Sequence, residues 1–267
     1  MQIYNHTKKT IKKALINENL ENLVLLASAY WNKQKFLEDF HTDWNMGEQV
    51  GIESIDDKDS LVLEVDGIEL EIILFYNPIP KVLIMRGAKI NYMWEDAVEV
   101  AKQHRAYLNF TIRTETKSKI ACETLLTKAI FTCLKQKEAL GVFVNEVLLQ
   151  RVYYCDMAAL LKDAKNPIMN WIWFGINQYD SYIGYYTYGM KKFDMNEMEI
   201  YIKTSNSNLN SVRVLLISIV SYVLSKNINL HSGEIIKLKG KGNLNVTLSE
   251  GKAIEGMSLK IDCGDYI

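Results

Sequence analysis

Three prolines and four cysteines in 267 residues leave little scope for a proline-rich linker or a disulfide scaffold. No two of Cys122, Cys133, Cys155 and Cys263 stand at the C-x-x-C spacing of a redox or zinc motif. Cys122 and Cys133 fall on one expected helix, about 16 Å apart at the helical rise, which excludes a bond between them. Reduced, mostly buried thiols are the expectation. Histidine is equally sparse: the four stand at 6, 41, 104 and 231, with no H-x-x-x-H pair, so neither a metal site nor a cofactor is written into the chain. Charge of either sign is not in excess, since Lys+Arg number 31 and Asp+Glu 32. A nucleic-acid binder usually carries a basic footprint. The lysine groups Lys8, Lys9, Lys12, Lys13 and Lys237, Lys239, Lys241 read as solvated faces.

Long apolar runs are also missing. The most apolar stretch, Val214–Val223, is interrupted by Ser218 and Ser221 and suits a buried helix rather than a bilayer span. The opening MQIYNHTKKTIKKAL holds no apolar core of signal-peptide length. These absences together point to a cytoplasmic protein with no membrane or nucleic-acid partner.

What is present is a hydrophobic content of 48%, ample for a core. Residues 1–20 are polar and helical in propensity, and 22–29 (NLVLLASA) read as a central strand. Trp31, Phe36, Leu37, Phe40 and Trp44 recur at helical spacing. SLVLEV and IELEIILFY flank Asp66-Gly67, the dipeptide of a type I′ hairpin, and Pro78 and Pro80 end the second strand. A helix over 93–104 and a strand over 106–114 complete a β-α-β-β-α-β order, the split-βαβ arrangement of ferredoxin-like folds.

The second half reads the same way. GVFVNEVLL (141–149) is a strand and 152–164 a helix stopped by Asn166-Pro167. Strands follow at 169–177 and 197–204, then a helix over 208–226 capped by Ser207 or Asn208, and strands at 234–240, 245–249 and 258–262. The fold expected is therefore α+β, with two ferredoxin-like βαββαβ units and mostly antiparallel sheets. An N-terminal helical segment occupies 1–20, the first unit 21–115, a connecting helix 116–138, and the second unit with its C-terminal hairpins 139–267.

Thr187-Tyr188-Gly189-Met190, Phe193 and Glu197-Met198-Glu199 form a specified-looking segment. With Pro78-Ile79-Pro80, His104-Arg105-Ala106, the helix from Thr124 to Lys128 and Trp171–Gly175, the ordered set resembles the bacterial family catalogued as domain of unknown function 4261. The resemblance implies a two-part α/β build and carries over no catalytic residue.

Chemistry in the segment rests on few groups. Glu197 and Glu199 share a face of an alternating strand, roughly 7 Å apart, a separation open to paired-carboxylate hydrolysis but equally that of a half-exposed scaffold strand. His104 closes a helix, where a partly positive imidazole meets the C-terminal dipole. Gly189 suits a bend or bulge. The tyrosines Tyr182, Tyr185, Tyr186 and Tyr188, beside Tyr179, are too dense for every ring to be buried and are the candidate binding residues. The Trp171 and Trp173 pair reads as core. The expectation is a non-enzymatic protein-binding module, such as an immunity protein that neutralises a protein toxin. A hydrolase using Glu197 and Glu199, with His104 nearby, is the alternative.

Overall fold

The computed structural model describes residues 21–46, 50–53, 59–204, 209–238 and 242–263. The helical segment expected over 1–20, the Ser207/Asn208 cap, and Lys8, Lys9, Lys12, Lys13, Lys239 and Lys241 lie outside the described residues. The fold is α+β with two sheets. Its compact units divide between Asn170 and Trp171.

The first unit contains β1 (Asn22–Leu26), α1 (Lys33–Trp44), β2 (Val50–Glu53), β3 (Ser60–Val65) and β4 (Ile68–Phe75). It continues with α2 (Lys81–Ile90), α3 (Ala97–Gln103), β5 (Ala106–Arg113), α4 (Lys119–Leu134), β6 (Ala139–Val144), β7 (Val147–Gln150) and α5 (Arg151–Ala158). Asn32 and Ser118 cap α1 and α4, their side chains accepting from the N–H groups of Lys35 and Ala121. The strands form one sheet in the order β2-β3-β4-β5-β1-β6-β7, antiparallel at every pairing.

Asp66 and Gly67 take φ angles of 52° and 74°, so the expected hairpin turn forms between β3 and β4. Leu23, Leu25, Tyr107 and Phe143 bury one face of the sheet against Leu83, Ile84 and Ala88 of α2 and Ala97 and Ala101 of α3. Alternate residues Val24, Leu26 and Leu108 turn to the other face. There α4 packs on β1, β5 and β6 and α1 packs on α4.

Three expectations for this half are corrected. GVFVNEVLL is not one strand but the hairpin β6–β7, turning at Asn145 and Glu146 with φ of 51° and 57°. Glutamate rarely takes a positive φ, so the turn carries no glycine signature. The hairpin joins the first sheet through Val144 opposite Asn22, instead of opening a second unit. The stretch 119–134 is likewise no connector, because Leu125, Ala129, Ile130 and Cys133 are buried. Finally, the expected split-βαβ unit of β1, α1 and β3 does not form: β1, β5, β4 and β3 are successive antiparallel neighbours, so β1 and β3 run in opposite senses, and it is β2, beyond β3 at the sheet edge, that runs parallel to β1.

After the single turn α6 (Ile168–Trp171), the second unit runs through β8 (Trp173–Gln178), β9 (Tyr182–Tyr188) and β10 (Met198–Lys203). It ends with α7 (Leu209–Lys226), β11 (Ile235–Leu238), β12 (Gly242–Glu250) and β13 (Met257–Asp262). The strand expected over 169–177 therefore begins at Trp173, and β9 was not expected as a strand. The order is β11-β12-β13-β10-β9-β8. β10 and β13 are parallel and the other pairs antiparallel. Counting senses along the sheet makes β10 and β11 parallel, so β10–α7–β11 is a crossover with β13 and β12 lodged inside it.

Residues Met198, Ile200, Leu259, Ile261 and Val246 share one face of this sheet and are buried, as are Val212, Leu216, Ile219, Val220 and Val223 of α7. α7 packs on β9 and β10. The apolar run 214–223 is thus a core helix. Among the described residues no helix is long and apolar enough to cross a membrane. The two units differ in strand number and order, so the chain does not repeat one topology.

Candidate functional site

Alternation along β9 puts Tyr182, Gly184, Tyr186 and Tyr188 on the face of the second sheet away from α7, and Ile183, Tyr185 and Thr187 toward it. Register sets Glu199 of β10 opposite Tyr186 and Tyr201 opposite Gly184. β13 brings Lys260 beside Glu199.

The glycines on this face are seats for rings. A Cβ at Gly184 would lie 2.5 Å from Tyr201 Cε1, and one at Gly175 would lie 2.1 Å from Tyr186 Cζ. Both rings therefore lie flat across the backbone of the next strand. Around Gly184 the rings gather: Tyr179 and Tyr182 stack at 4.6 Å between centroids, and Tyr182 meets Tyr201 edge-on at 5.5 Å. The Lys252 ammonium sits 5.0 Å from the Tyr201 ring and 5.4 Å from the Tyr182 ring, within cation–π range. Tyr179, Tyr182 and Tyr201 are half-buried and Lys252 is exposed. The result is a preformed patch of phenol rings with one positive charge.

Beneath it lies Glu199, whose carboxylate is fully buried. Its oxygens accept from the backbone N–H groups of Ala253 at 2.9 Å, Lys252 at 3.2 Å and Ile254 at 3.3 Å, and pair with Lys260 Nζ at 2.7 Å. Successive N–H groups converging on one anion form a nest. Burial would push this carboxyl up, but the Lys260 ammonium and the N–H groups of Ala253 and Lys252 outweigh it and hold the group below the usual glutamate range. Glu199 thereby ties the β12–β13 connection, and with it Lys252, to β10. Burial, and then the charge of Glu199, push the Tyr201 phenol up, so it stays protonated.

Glu197 has separate partners. One oxygen accepts from Thr187 Oγ1 at 2.8 Å, and the other from the N–H of Gly189 at 2.8 Å. Thr187 Oγ1 accepts in turn from the N–H of Met198 at 2.8 Å. Gly189 has φ of 121°, outside the range of ordinary side chains, and turns the end of β9 into the 3-10 helix over Met190–Phe193. The T-Y-G…E-M-E segment is thus a lock that closes the β9–β10 connection on itself.

The sequence expectation placed Glu197 and Glu199 on an exposed face, and the structure corrects it: relative exposures are 3% and 0%. The two carboxylates have separate sets of partners, and each is occupied by donors. His104 is also internal and lies in the first unit. Its Nε2 accepts from the Ile79 N–H at 2.9 Å, while Nδ1 lies 2.5 Å from the Ala101 carbonyl. Burial holds the imidazole below its ordinary pKa, and the lone pair on Nε2 requires the neutral ring. The expected partly positive helix-capping histidine is instead a neutral staple between the end of α3 and the loop before α2.

Of the four candidate binding tyrosines, Tyr182 is in the patch and Tyr186 and Tyr188 are half-buried on the same face. Tyr185 is 4% exposed and belongs to the core. Sequence reasoning missed Tyr201, Lys252 and Lys260 as site residues. The period-two alternation of Glu197, Glu199 and Tyr201 contained a signal for Tyr201. Nothing local marked Lys252 and Lys260, which arrive through the β10–β13 pairing. Among the described residues no group of three or more His, Cys, Asp or Glu is placed to hold a metal ion.

The second unit is thus a six-stranded sheet with one helix on its apolar face and a tyrosine-lined patch on the other. Residues 186–262 match the model of the family described as "Domain of unknown function (DUF4261)"; of the motifs that carry the resemblance, Thr187–Glu199 fall inside the match, and those from Pro78 to Gly175 lie outside it. The match runs from within β9 to the end of β13 and takes in Glu197, Glu199, Tyr201, Lys252 and Lys260. Comparison with curated proteins and with solved structures finds no match to either.

Proposed function

We propose that this chain is a non-enzymatic, cytoplasmic protein-binding module of a bacterial cell, of the kind that neutralises a protein toxin. In this reading it docks through Tyr179, Tyr182, Tyr201 and Lys252. The observation that carries the reading is the mutual packing of the three rings under the Lys252 ammonium. Tyrosine supplies large contact area, and rings already held in place lose little freedom on binding. A stable complex buries about 800 Å² per partner, so the patch would form the centre of a larger contact. The exposed Lys252 calls for a carboxylate on the partner. The buried, donor-saturated state of Glu197 and Glu199 also supports a binding role, because a general base needs a free lone pair within reach of substrate.

The test is titration calorimetry against the products of adjacent genes, co-expressed with the chain. A partner should bind wild type, and Tyr182→Ala with Lys252→Ala should weaken it at least tenfold in protein that circular dichroism shows to be folded. Full affinity in the folded double variant would remove the patch as the interface.

A further inference from the structure

We propose that a cavity in the first unit, between the Asp66–Gly67 hairpin tip and α4, is a binding site for a small organic monoanion: a carboxylate carried on a compact apolar body. The cavity has a volume of about 270 Å³, just below the range usual for small-molecule sites. Its apolar wall is Val65, Ile68, Ala121 and Leu125. Its charged lining is Lys117, Lys128 and Asp66, two ammonium groups against one carboxylate, which leaves one unit of positive charge for a ligand to balance.

The two lysines are not equivalent. Lys117 is exposed at the rim, its stem passing Gly67, where a Cβ would lie 3.6 Å from its Cε. Lys128 is half-buried, and no carboxylate among the described residues stands within ion-pair distance of it. Among the described residues its ammonium meets Met46 Sδ at 3.9 Å, a weak acceptor, and the Trp44 ring at 5.7 Å. Among the described residues no anion within ion-pair reach offsets its lost water, and burial lowers its pKa, with Asp66 opposing. A carboxylate in the cavity restores the missing partner, and Thr124 in the lining adds a hydroxyl donor. The apolar part of the lining, of which Ala121 and Leu125 share a helix face with Lys128, sets the other half of the chemistry: a bare inorganic anion would leave it wet, whereas a hydrocarbon body fills it.

The site is separate from the tyrosine patch, so its test stands apart from that of the binding function. Benzoate and phenylacetate are titrated into the full chain by calorimetry, with benzyl alcohol and inorganic phosphate as controls for body and charge alone. The expected result is saturable binding of at least one aromatic acid and at least tenfold weaker binding of both controls. Lys128→Met, which keeps the apolar stem, should reduce affinity for the acid by about tenfold or more, the scale of one charge-assisted hydrogen bond. Ala121→Leu, which fills the cavity and leaves both lysines in place, should abolish binding even if Lys128→Met proves hard to fold. Absence of binding by either acid would overturn the proposal. So would equal binding of phosphate, or unchanged affinity in folded Lys128→Met or Ala121→Leu.

Discussion

Glu197→Gln separates a structural lock from a surface carboxylate. The side chain keeps its size, so the change tests hydrogen bonding and charge alone. In the native protein one oxygen faces the Gly189 N–H at 2.8 Å and the other the Thr187 hydroxyl at 2.8 Å. A glutamine can offer an oxygen to only one of them. With its oxygen toward Gly189, the amide N–H₂ faces Thr187 Oγ1, which already accepts from Met198, and the threonine hydroxyl proton loses its acceptor. The opposite orientation sets donor against donor at Gly189. Either way one buried donor is left without an acceptor and the remaining bonds lose their charge assistance, each effect worth about 1–2 kcal/mol, for a total near 2–3 kcal/mol. An exposed glutamate would cost less than about 0.5 kcal/mol. For a chain of this size that difference lowers the melting temperature by about 4–10 °C. Calorimetry or circular dichroism at neutral pH reads it directly. A melting temperature within about 1 °C of wild type would refute the lock, and a lost biological activity alongside it would favour a chemical role for the carboxylate.

Gly184→Ala should destabilise by about 1–3 kcal/mol, because its Cβ would press on the Tyr201 ring. If the ring is the cause, adding Tyr201→Ala should relieve part of that cost, so the double variant is less destabilised than the sum in a denaturant cycle. Glu199 is depressed in the folded state, so its contribution is present above the unfolded value of about 4.3 and is lost as pH falls through the lower folded value. Wild-type stability should therefore fall in that acid window, and Glu199→Gln should flatten the fall. Breaking the pair from the other side, Lys260→Met should cost about 3 kcal/mol at neutral pH; a change below about 0.5 kcal/mol would show that the backbone nest alone carries Glu199.

Local chemistry determined much of the chain's secondary structure. Asp66-Gly67 marked its hairpin because positive φ is a property of the dipeptide, and the three-to-four-residue spacing around Phe36 and Phe40 marked α1. The apolar run in 209–226 was legible as a buried helix from its length and its serines. The residue pattern Thr187…Gly189…Glu197 was recognisable as specified without revealing what it specified. What the sequence could not decide was pairing. Whether 141–149 opens a second sheet or folds back into the first depends on Val144 finding Asn22 across more than a hundred residues. The same holds for function: Glu197 and Glu199 look exposed by alternation, and only the arrival of Gly189, Lys260 and the 252–254 backbone makes them interior anchors. Periodicity reports which residues share a face of one strand. Which strand, loop or charge comes to cover that face is set by long-range packing, and here that packing turned two apparently exposed carboxylates into buried parts of the frame.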